Sequence, residues 1–390
     1  MRIAYPMRVD AANKSGGDVL QVMRYIEEGK RLCKSGEPLY EGVMTTDLHC
    51  DFEGFDLVHL TNIDRPVDTY SSFLCAREAD KPVFLSPIHH SYEEIERFER
   101  EGRGGAVGLI SGSMGFRRLE YLRSMHRSFQ YPQLARPTMD MIWRGMRNAQ
   151  QTVLAGVDRI LVLTEKEKRD LKRNFGEVPE EKFASLRNGI ESNSDDCMAA
   201  THRDIDICMV GRIEARKNQI AVLKVLQRMG LRAVFVGGEN PNHREYCRRL
   251  REMLVDSGSE YRGAISHEET LRVMRRARLH ISASWYEVLS LVDLEAYWAG
   301  CGVVSSKCGG TREILGDEAE YVDPGSEASI GEGIRRMLER TSSGEHGSTR
   351  RSNGIAGNQT WEDVGASLGN LYRASIYKDS NVATDTDSKL

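Results

Sequence analysis

Two glutamates eight positions apart, Glu287 and Glu295, bound the stretch Glu-Val-Leu-Ser-Leu-Val-Asp-Leu-Glu inside residues 285–295. An apolar run at 279–283 precedes it and Ala-Tyr-Trp-Ala-Gly follows at 296–300, so the region reads as strand, loop, helix. Glu287 falls in the loop. Glu295, about two helical turns further on, faces the side of the helix entrance. A helix entrance offers unpaired backbone N–H groups and the positive end of a dipole, so the two carboxylates bracket a place suited to a diphosphate. Downstream, after a strand at 302–305, Cys308-Gly309-Gly310-Thr311-Arg312-Glu313 opens another short helix on a glycine pair.

Three further groups could do chemistry. Gly211-Arg212-Ile213-Glu214-Ala215-Arg216-Lys217-Asn218 places Arg212 and Lys217 on either side of a strand-to-helix loop, where they can converge on a diphosphate. Gly16 and Gly17, after Lys14 and Ser15, lie between a first strand and a first helix, where a bare backbone can cradle an anion or Asp18 can simply cap the helix. Pro87-Ile88-His89-His90-Ser91 ends a strand, and either histidine there can hydrogen-bond a hydroxyl or hold a developing charge.

The elements that position these groups alternate. Strands at 2–6, 43–48, 56–60, 82–86 and 157–164 are interleaved with helices at 19–33 and 67–79 and a charged helix from Glu165, capped by Thr164. A strand at 183–186 leads to Asn188-Gly189, read as a turn. A second alternation runs through strands at 205–210, 234–236, 279–283, 302–305 and 321–324, with helices at 243–257 and 330–338 and a final amphipathic helix at 361–377. Strands alternating with helices imply parallel sheets whose ligands sit at the carboxyl ends of the strands. Asp204-Ile205-Asp206 has the form of a metal-binding pair but lies at a strand entrance, so no metal is expected there.

Between residues 97 and 147 the character changes, with ten arginines against four acids and no lysine. Aromatic residues and methionines are interleaved at helical spacing. Arg117, Arg118, Arg123 and Arg127 are the candidates for meeting an acidic partner, either an anionic membrane surface or the pyrophosphate of a lipid-linked acceptor. The glycine-rich stretch 102–115 reads as a loop that orders on acceptor binding.

A formal net charge of -4 argues against a general nucleic-acid binder, and 390 residues with 40% hydrophobic content suit two domains. Eight cysteines form no Cys-x-x-Cys pair and have no histidines at zinc spacing, so they read as buried, reduced thiols of a cytoplasmic protein. Neither a secretory signal nor about 18 consecutive apolar residues can be found.

Glu287 and Glu295 followed by Gly309-Gly310-Thr311-Arg312-Glu313, together with Gly211-Arg212 and Lys217, resemble the signatures of glycosyltransferase family 4. Ser290 stands where that family more often has glycine. The resemblance implies the α/β fold called GT-B, two facing Rossmann-like domains with parallel sheets and a C-terminal helix crossing back to the first. It divides the chain into an acceptor-side domain at 1–195, a nucleotide-sugar domain at 203–360, the crossover helix at 361–378 and a disordered tail at 379–390.

It further implies a retaining, metal-independent transfer of a sugar from a nucleotide diphosphate-sugar donor to a glycan or lipid-linked acceptor, with no cofactor. Donor contacts would come from Gly16, Gly17, Arg212, Lys217, Gly263, Ile265, Glu287, Val288, Leu289, Ser290, Leu291 and Glu295. Catalytic roles would fall to Glu287, Arg212, Lys217 and one of His89 and His90. The expected location is the cytoplasm, with attachment to the inner face of the membrane. A nucleotide-sugar epimerase of the same fold and a non-catalytic binding or scaffold protein are the alternatives.

Overall fold

The computed structural model describes residues 1–12, 16–34, 36–48, 50–104, 108, 115–190, 203–343 and 359–384. The chain forms two compact units, neither contiguous in sequence. The first comprises Met1–His89, Phe116–Gly189 and Gln359–Leu390, and the second His90–Gly115 and Ile190–Asn358.

In the first unit the strands are β1 Arg2–Pro6, β2 Cys33–Lys34, β3 Glu37–Pro38, β4 Glu41–Thr45, β5 Leu57–Thr61, β6 Val83–Ser86, β7 Arg159–Val162 and β8 Phe183–Ser185. Six of them make a parallel sheet in the order β4-β1-β5-β6-β7-β8. Every residue of β5 and β6 is buried, as a sheet covered on both faces requires. The strand expected at 43–48 sits at Glu41–Thr45. It is preceded by an unforeseen antiparallel β2–β3 pair, whose two-residue strands are too short to leave a pattern.

The closing helix, Trp361–Thr384, belongs to this unit. Its Tyr372 hydroxyl lies 2.9 Å from that of Tyr5 and 2.6 Å from His59 Nδ1, whose other ring nitrogen lies 2.9 Å from Ser86 Oγ. Burial pushes the His59 pKa down to about 3, so the ring is neutral and can accept from one neighbour while donating to the other. Gly189 is not a left-handed turn. A Cβ there would stand 2.3 Å from the Trp361 backbone nitrogen, so the glycine lets the closing helix start against the chain. Backbone expected to be disordered at 379–384 continues this helix.

The second unit holds β9 Ile205–Val210, β10 Ala233–Val236, β11 Glu260–Tyr261, β12 Ala277–Ser282, β13 Gly302–Ser306 and β14 Ala319–Val322. Their order is β11-β10-β9-β12-β13-β14, all parallel. This is the doubly wound 3-2-1-4-5-6 arrangement, and its strand order reverses between β9 and β12. Ile207, Leu223, Phe235, Ile281, Val304 and Ile334 fill the core between sheet and helices.

The arginine-rich stretch at 97–147 divides between the units. Helices Phe116–Gln130, Ala135–Arg144 and Met146–Gly156 stay with the first, whereas 90–115, expected within a first domain of 1–195, belongs to the second. The reason is local. Phe98 packs with Trp285 and Ala215, and Arg97 bonds Asp323 at 2.7 Å while lying over the Trp285 ring. All but the last residue of the polar stretch 192–203, most of the glycine-rich loop at 102–115 and most of residues 341–354 lie outside the described residues.

Candidate active site in the second unit

The loops after β9 and β12 meet where the strand order reverses. The first carries Gly211 to Asn218 and the second carries Trp285 to Ser290. Two glycines let backbones pass closely here. Gly237, at φ +141°, would put a Cβ 2.1 Å from the Gly211 carbonyl oxygen, and its N–H donates to the Gly263 carbonyl at 2.8 Å. At φ +86°, Gly309 would put a Cβ 2.9 Å from the Glu287 carbonyl oxygen, while the next N–H, from Gly310, donates to the Val288 carbonyl at 2.8 Å. The glycine pair therefore holds the Glu287 loop from below.

Glu287 is nearly buried and shares its Oε1 with two cations. Arg216 Nη1 approaches to 2.9 Å, and Lys217 Nζ donates a short hydrogen bond. Burial acts to raise the pKa of this carboxyl, but Arg216, then Lys217 and more weakly His90, pull it down to about 2. It is a fixed carboxylate. Arg216 is itself braced by Glu214 at 3.0 Å, by the Tyr286 carbonyl at 3.1 Å and by the Tyr286 ring, 5.2 Å from the guanidinium carbon.

Arg216 is the residue that sequence reasoning passed over. A base directly before Lys217 looks like any surface arginine, and only the nearly buried carboxylate 71 positions later in the chain gives it a task. Arg212, by contrast, is exposed at the start of the loop, and its carbonyl accepts from Gln219 Nε2 at 2.8 Å.

The helix Leu291–Trp298 starts from Ser290, whose side chain makes no cap hydrogen bond. Val288, Leu289 and Ser290 are buried behind the helix entrance. The acid in the first turn, Asp293, faces inward, accepting from Ser305 Oγ at 2.6 Å and lying 3.1 Å from His280 Nε2. Glu295, on the same helix, lies 3.8 Å from His267 Nε2. Gly263, at φ +67°, and Ile265 lie in the loop before the helix His267–Arg276, which Ser266 and Glu269 start with a capping box.

The two adjacent histidines separate cleanly. His89 is buried in the first unit, with Nδ1 2.7 Å from Asp64 and Nε2 2.8 Å from Asn174, so both ring nitrogens have partners. His90 belongs to the second unit, half-buried edge-on to Tyr286 at 5.3 Å, and its charge is felt by Glu287. Which of two neighbours faces a site depends on the backbone at the strand end, and their types carry no signal for it.

The first unit's own mouth is filled from within. Gly16 precedes the helix Gly17–Arg31, but a Cβ there would stand 2.7 Å from Asp18 Oδ1. The Asp18 carboxylate accepts from Arg8 at 2.8 Å, and Arg8 also bonds Asp10 at 2.6 Å. An acid thus already occupies the helix entrance, and Lys14 and Ser15 lie outside the described residues. Arg123 and Arg127 both pair with Glu120, whereas Arg117 and Arg118 are exposed. Asp204 pairs with Arg276 at 2.8 Å and Asp206 lies 3.8 Å from Arg278, and no metal-binding cluster occurs among the described residues. No disulfide links the described cysteines. Cys33 is exposed and Cys50 and Cys75 half-buried, against the expectation of buried thiols.

Residues 198–353 match the family described as Glycosyl transferases group 1. Over 198 residues the chain is 26% identical to a glycogen synthase of Mycobacterium tuberculosis, a match covering 49% of this chain and 48% of that protein. The chain spans about half the length of the curated relatives it matches. Its fold is similar to sucrose-phosphate synthase from Thermosynechococcus elongatus, with TM-score 0.66, 16% identity, and 97% of this chain and 100% of that chain covered. Anabaena HepE, solved in complex with UDP, gives TM-score 0.60 at 14% identity with 100% of both chains covered. The architecture is GT-B.

Proposed function

We propose that this chain, whose residues 198–353 match the glycosyl transferases of group 1, moves a sugar from a nucleotide diphosphate-sugar to an acceptor hydroxyl with retention and without a metal. The observation that carries this reading is Lys217 held on the carboxylate of Glu287 at the point where the strand order reverses. Donor diphosphate would lie between Arg212, Lys217 and the entrance of the Leu291–Trp298 helix. Glu295 would take ribose hydroxyls, the Gly263 to Ile265 backbone the base, and Glu287 the hydroxyls of the transferred sugar.

In this reading Lys217 exchanges Glu287 for phosphate oxygens when donor binds. Arg216 stays on Glu287 and keeps it charged. As the sugar–phosphate bond breaks, negative charge collects on the leaving nucleoside diphosphate, where Arg212, Lys217 and the helix entrance stabilise it while positive charge grows on the sugar. The acceptor oxygen attacks from the face the phosphate leaves, and the leaving phosphate takes its proton. His90, beside Tyr286 and in the field of Glu287, is the histidine placed to support the developing charge.

A membrane-facing acceptor is favoured by one surface of the first unit. Leu122, Met125 and Phe129 follow one face of the helix Phe116–Gln130, and Met139, Ile142 and Trp143 one face of Ala135–Arg144. All six are exposed, Phe129 to 82% and Trp143 to 86%, amid exposed Arg117, Arg118, Arg136, Arg144 and Arg147. Apolar side chains ringed by arginine suit an anionic bilayer surface. Among the described residues no helix is long and apolar enough to cross a membrane.

The test is thermal stabilisation by UDP, GDP, ADP and their sugar conjugates, with and without magnesium. One nucleotide at about a hundred times its Kd should add ~2.7 kcal/mol, and magnesium should be unnecessary. No shift with any of them would overturn the donor assignment. Donor consumption without acceptor would instead favour the epimerase, and donor binding without turnover the scaffold.

A further inference from the structure

The second unit contains a cleft of about 830 Å³, none of whose lining residues is assigned above to the donor. One wall is Gly102 to Gly104, another the start of the helix Gln219–Met229, a third the segment His243 to Arg249, and Trp285 and Pro324 close the end. Its charges are unevenly matched. Every acid on the wall is paired with a cation: Glu101 takes Arg97 at 2.9 Å, Glu245 takes Arg248 at 3.0 Å, and Glu327 takes Arg228 at 2.7 Å. Arg103 is likewise bonded to Glu99, at 2.6 Å.

Arg244 and Arg249, on the same wall, make no hydrogen bond or ion pair among the described residues, although Arg249 adds to the field on Glu245. Between them and the other wall stands His243. Its Nδ1 accepts from the Ala215 N–H at 3.4 Å, so a neutral ring must carry its proton on Nε2. Burial and the nearby Arg103 and Arg216 favour that neutral form against the opposing pull of Glu214 and Glu99. The Nε2–H has no partner among the described residues. The cleft is therefore rich in unused donors, while its acceptors are taken.

We propose that this cleft is a second anion site, separate from the donor pocket, which takes a phosphorylated small molecule on Arg244, Arg249 and the Nε2–H of His243. Two guanidinium groups and a neutral N–H match a phosphate dianion in both charge and donor number. The volume leaves room for a body of sugar size, with the exposed Asn242 side chain on the wall for its hydroxyls. The site also borders the turn between β9 and the helix Gln219–Met229. Ala215 and Asn218 line the cleft, and Arg216 and Lys217 between them hold Glu287. A ligand drawing on His243 pulls on the Ala215 N–H, so occupancy shifts affinity at the Lys217–Glu287 site, and the reverse. This coupling rests on the donor reading of that turn; the binding does not.

The experiment is calorimetric titration with inorganic phosphate and glucose 1-phosphate on the full chain and on three variants: Lys217→Gln, Arg244→Gln combined with Arg249→Gln, and His243→Ala. Glucose 1-phosphate should bind wild type and Lys217→Gln alike, and inorganic phosphate more weakly. The double arginine variant should lose about tenfold or more in affinity, and His243→Ala severalfold, with unchanged melting temperatures. Binding of neither probe to wild type would overturn the proposal. So would binding that vanishes in Lys217→Gln and survives in the double variant, which would place the ligand at the donor site. A nucleotide shift that fails while glucose 1-phosphate binding obeys this pattern would sink the donor reading and leave the second site standing.

Discussion

Glu167 in the first unit and Glu287 in the second are both nearly buried, each in the segment following a parallel strand, yet they lie at opposite ends of the carboxylate range. Burial pushes Glu167 up to about 7, opposed by hydrogen bonds from the His89 and Leu163 N–H groups at 2.8 and 2.7 Å. Glu287 feels the same burial, but Arg216 and Lys217 bring it to about 2. Backbone donors satisfy a carboxyl without paying for its charge, whereas fixed cations keep it ionised. The same contrast holds for the two sheet mouths. In the first, Arg8 is consumed by Asp10 and Asp18. In the second, Lys217 is held by one carboxylate it can release.

The sharpest way to break this comparison is Lys217→Ala. If Lys217 is a working cation, turnover should fall about 10²–10³-fold with the melting temperature little changed, measured as initial rates on whichever donor gives a shift. Turnover like that of the wild type would make the Lys217–Glu287 pair a structural ion pair, no different in kind from Arg8–Asp18.

Glu167→Gln tests the other side. The amide would turn an N–H toward one of the two backbone donors, leaving that donor unpaired at a cost of about 1–3 kcal/mol. Urea denaturation at neutral pH should detect it. Unchanged stability would mean that the carboxyl's two acceptors are not needed.

The smallest effect is one of sign. Glu167 has a raised folded pKa, so its contribution is full below the unfolded value and is lost as pH rises through about 7. Glu287 has a lowered one, so its contribution is present above the unfolded value and is lost as pH falls toward about 2. Each should be worth at most ~3 kcal/mol. Comparing stability against pH for Glu167→Gln and Glu287→Gln with wild type should remove the two slopes separately. A single slope common to both variants would show that the difference in surroundings does not reach the free energy.

Much of the framework was legible in the sequence. Buried parallel strands leave unbroken apolar runs, and the strand at 205–210 was placed to the residue because both faces of the sheet are covered. That Lys217 and Glu287 share one sheet mouth was legible from loop positions, since both follow strands whose carboxyl ends a doubly wound sheet brings together; that they bond each other was not. What local pattern could not give was anything depending on distant partners. Arg97 looks like one more arginine in a basic stretch until Asp323, 226 positions away, fixes it to the second unit. His89 and His90 look alike in sequence until Asp64 and Asn174 are seen on the ring of the first. Gly189 looks like a turn until the Trp361 backbone needs the space.

The two hydroxyls of Tyr5 and Tyr372 meet across 367 positions of chain. A ribosome making this protein therefore completes the second unit's sheet, β9 to β14, before the helix that closes the first has been synthesised. Until then Tyr5, Tyr40 and His59 stand without the Tyr372 ring that packs among them. The half of the molecule that is begun first is the half that is finished last, and chains that stop short of residue 361 should be recognised by chaperones through that open tyrosine face.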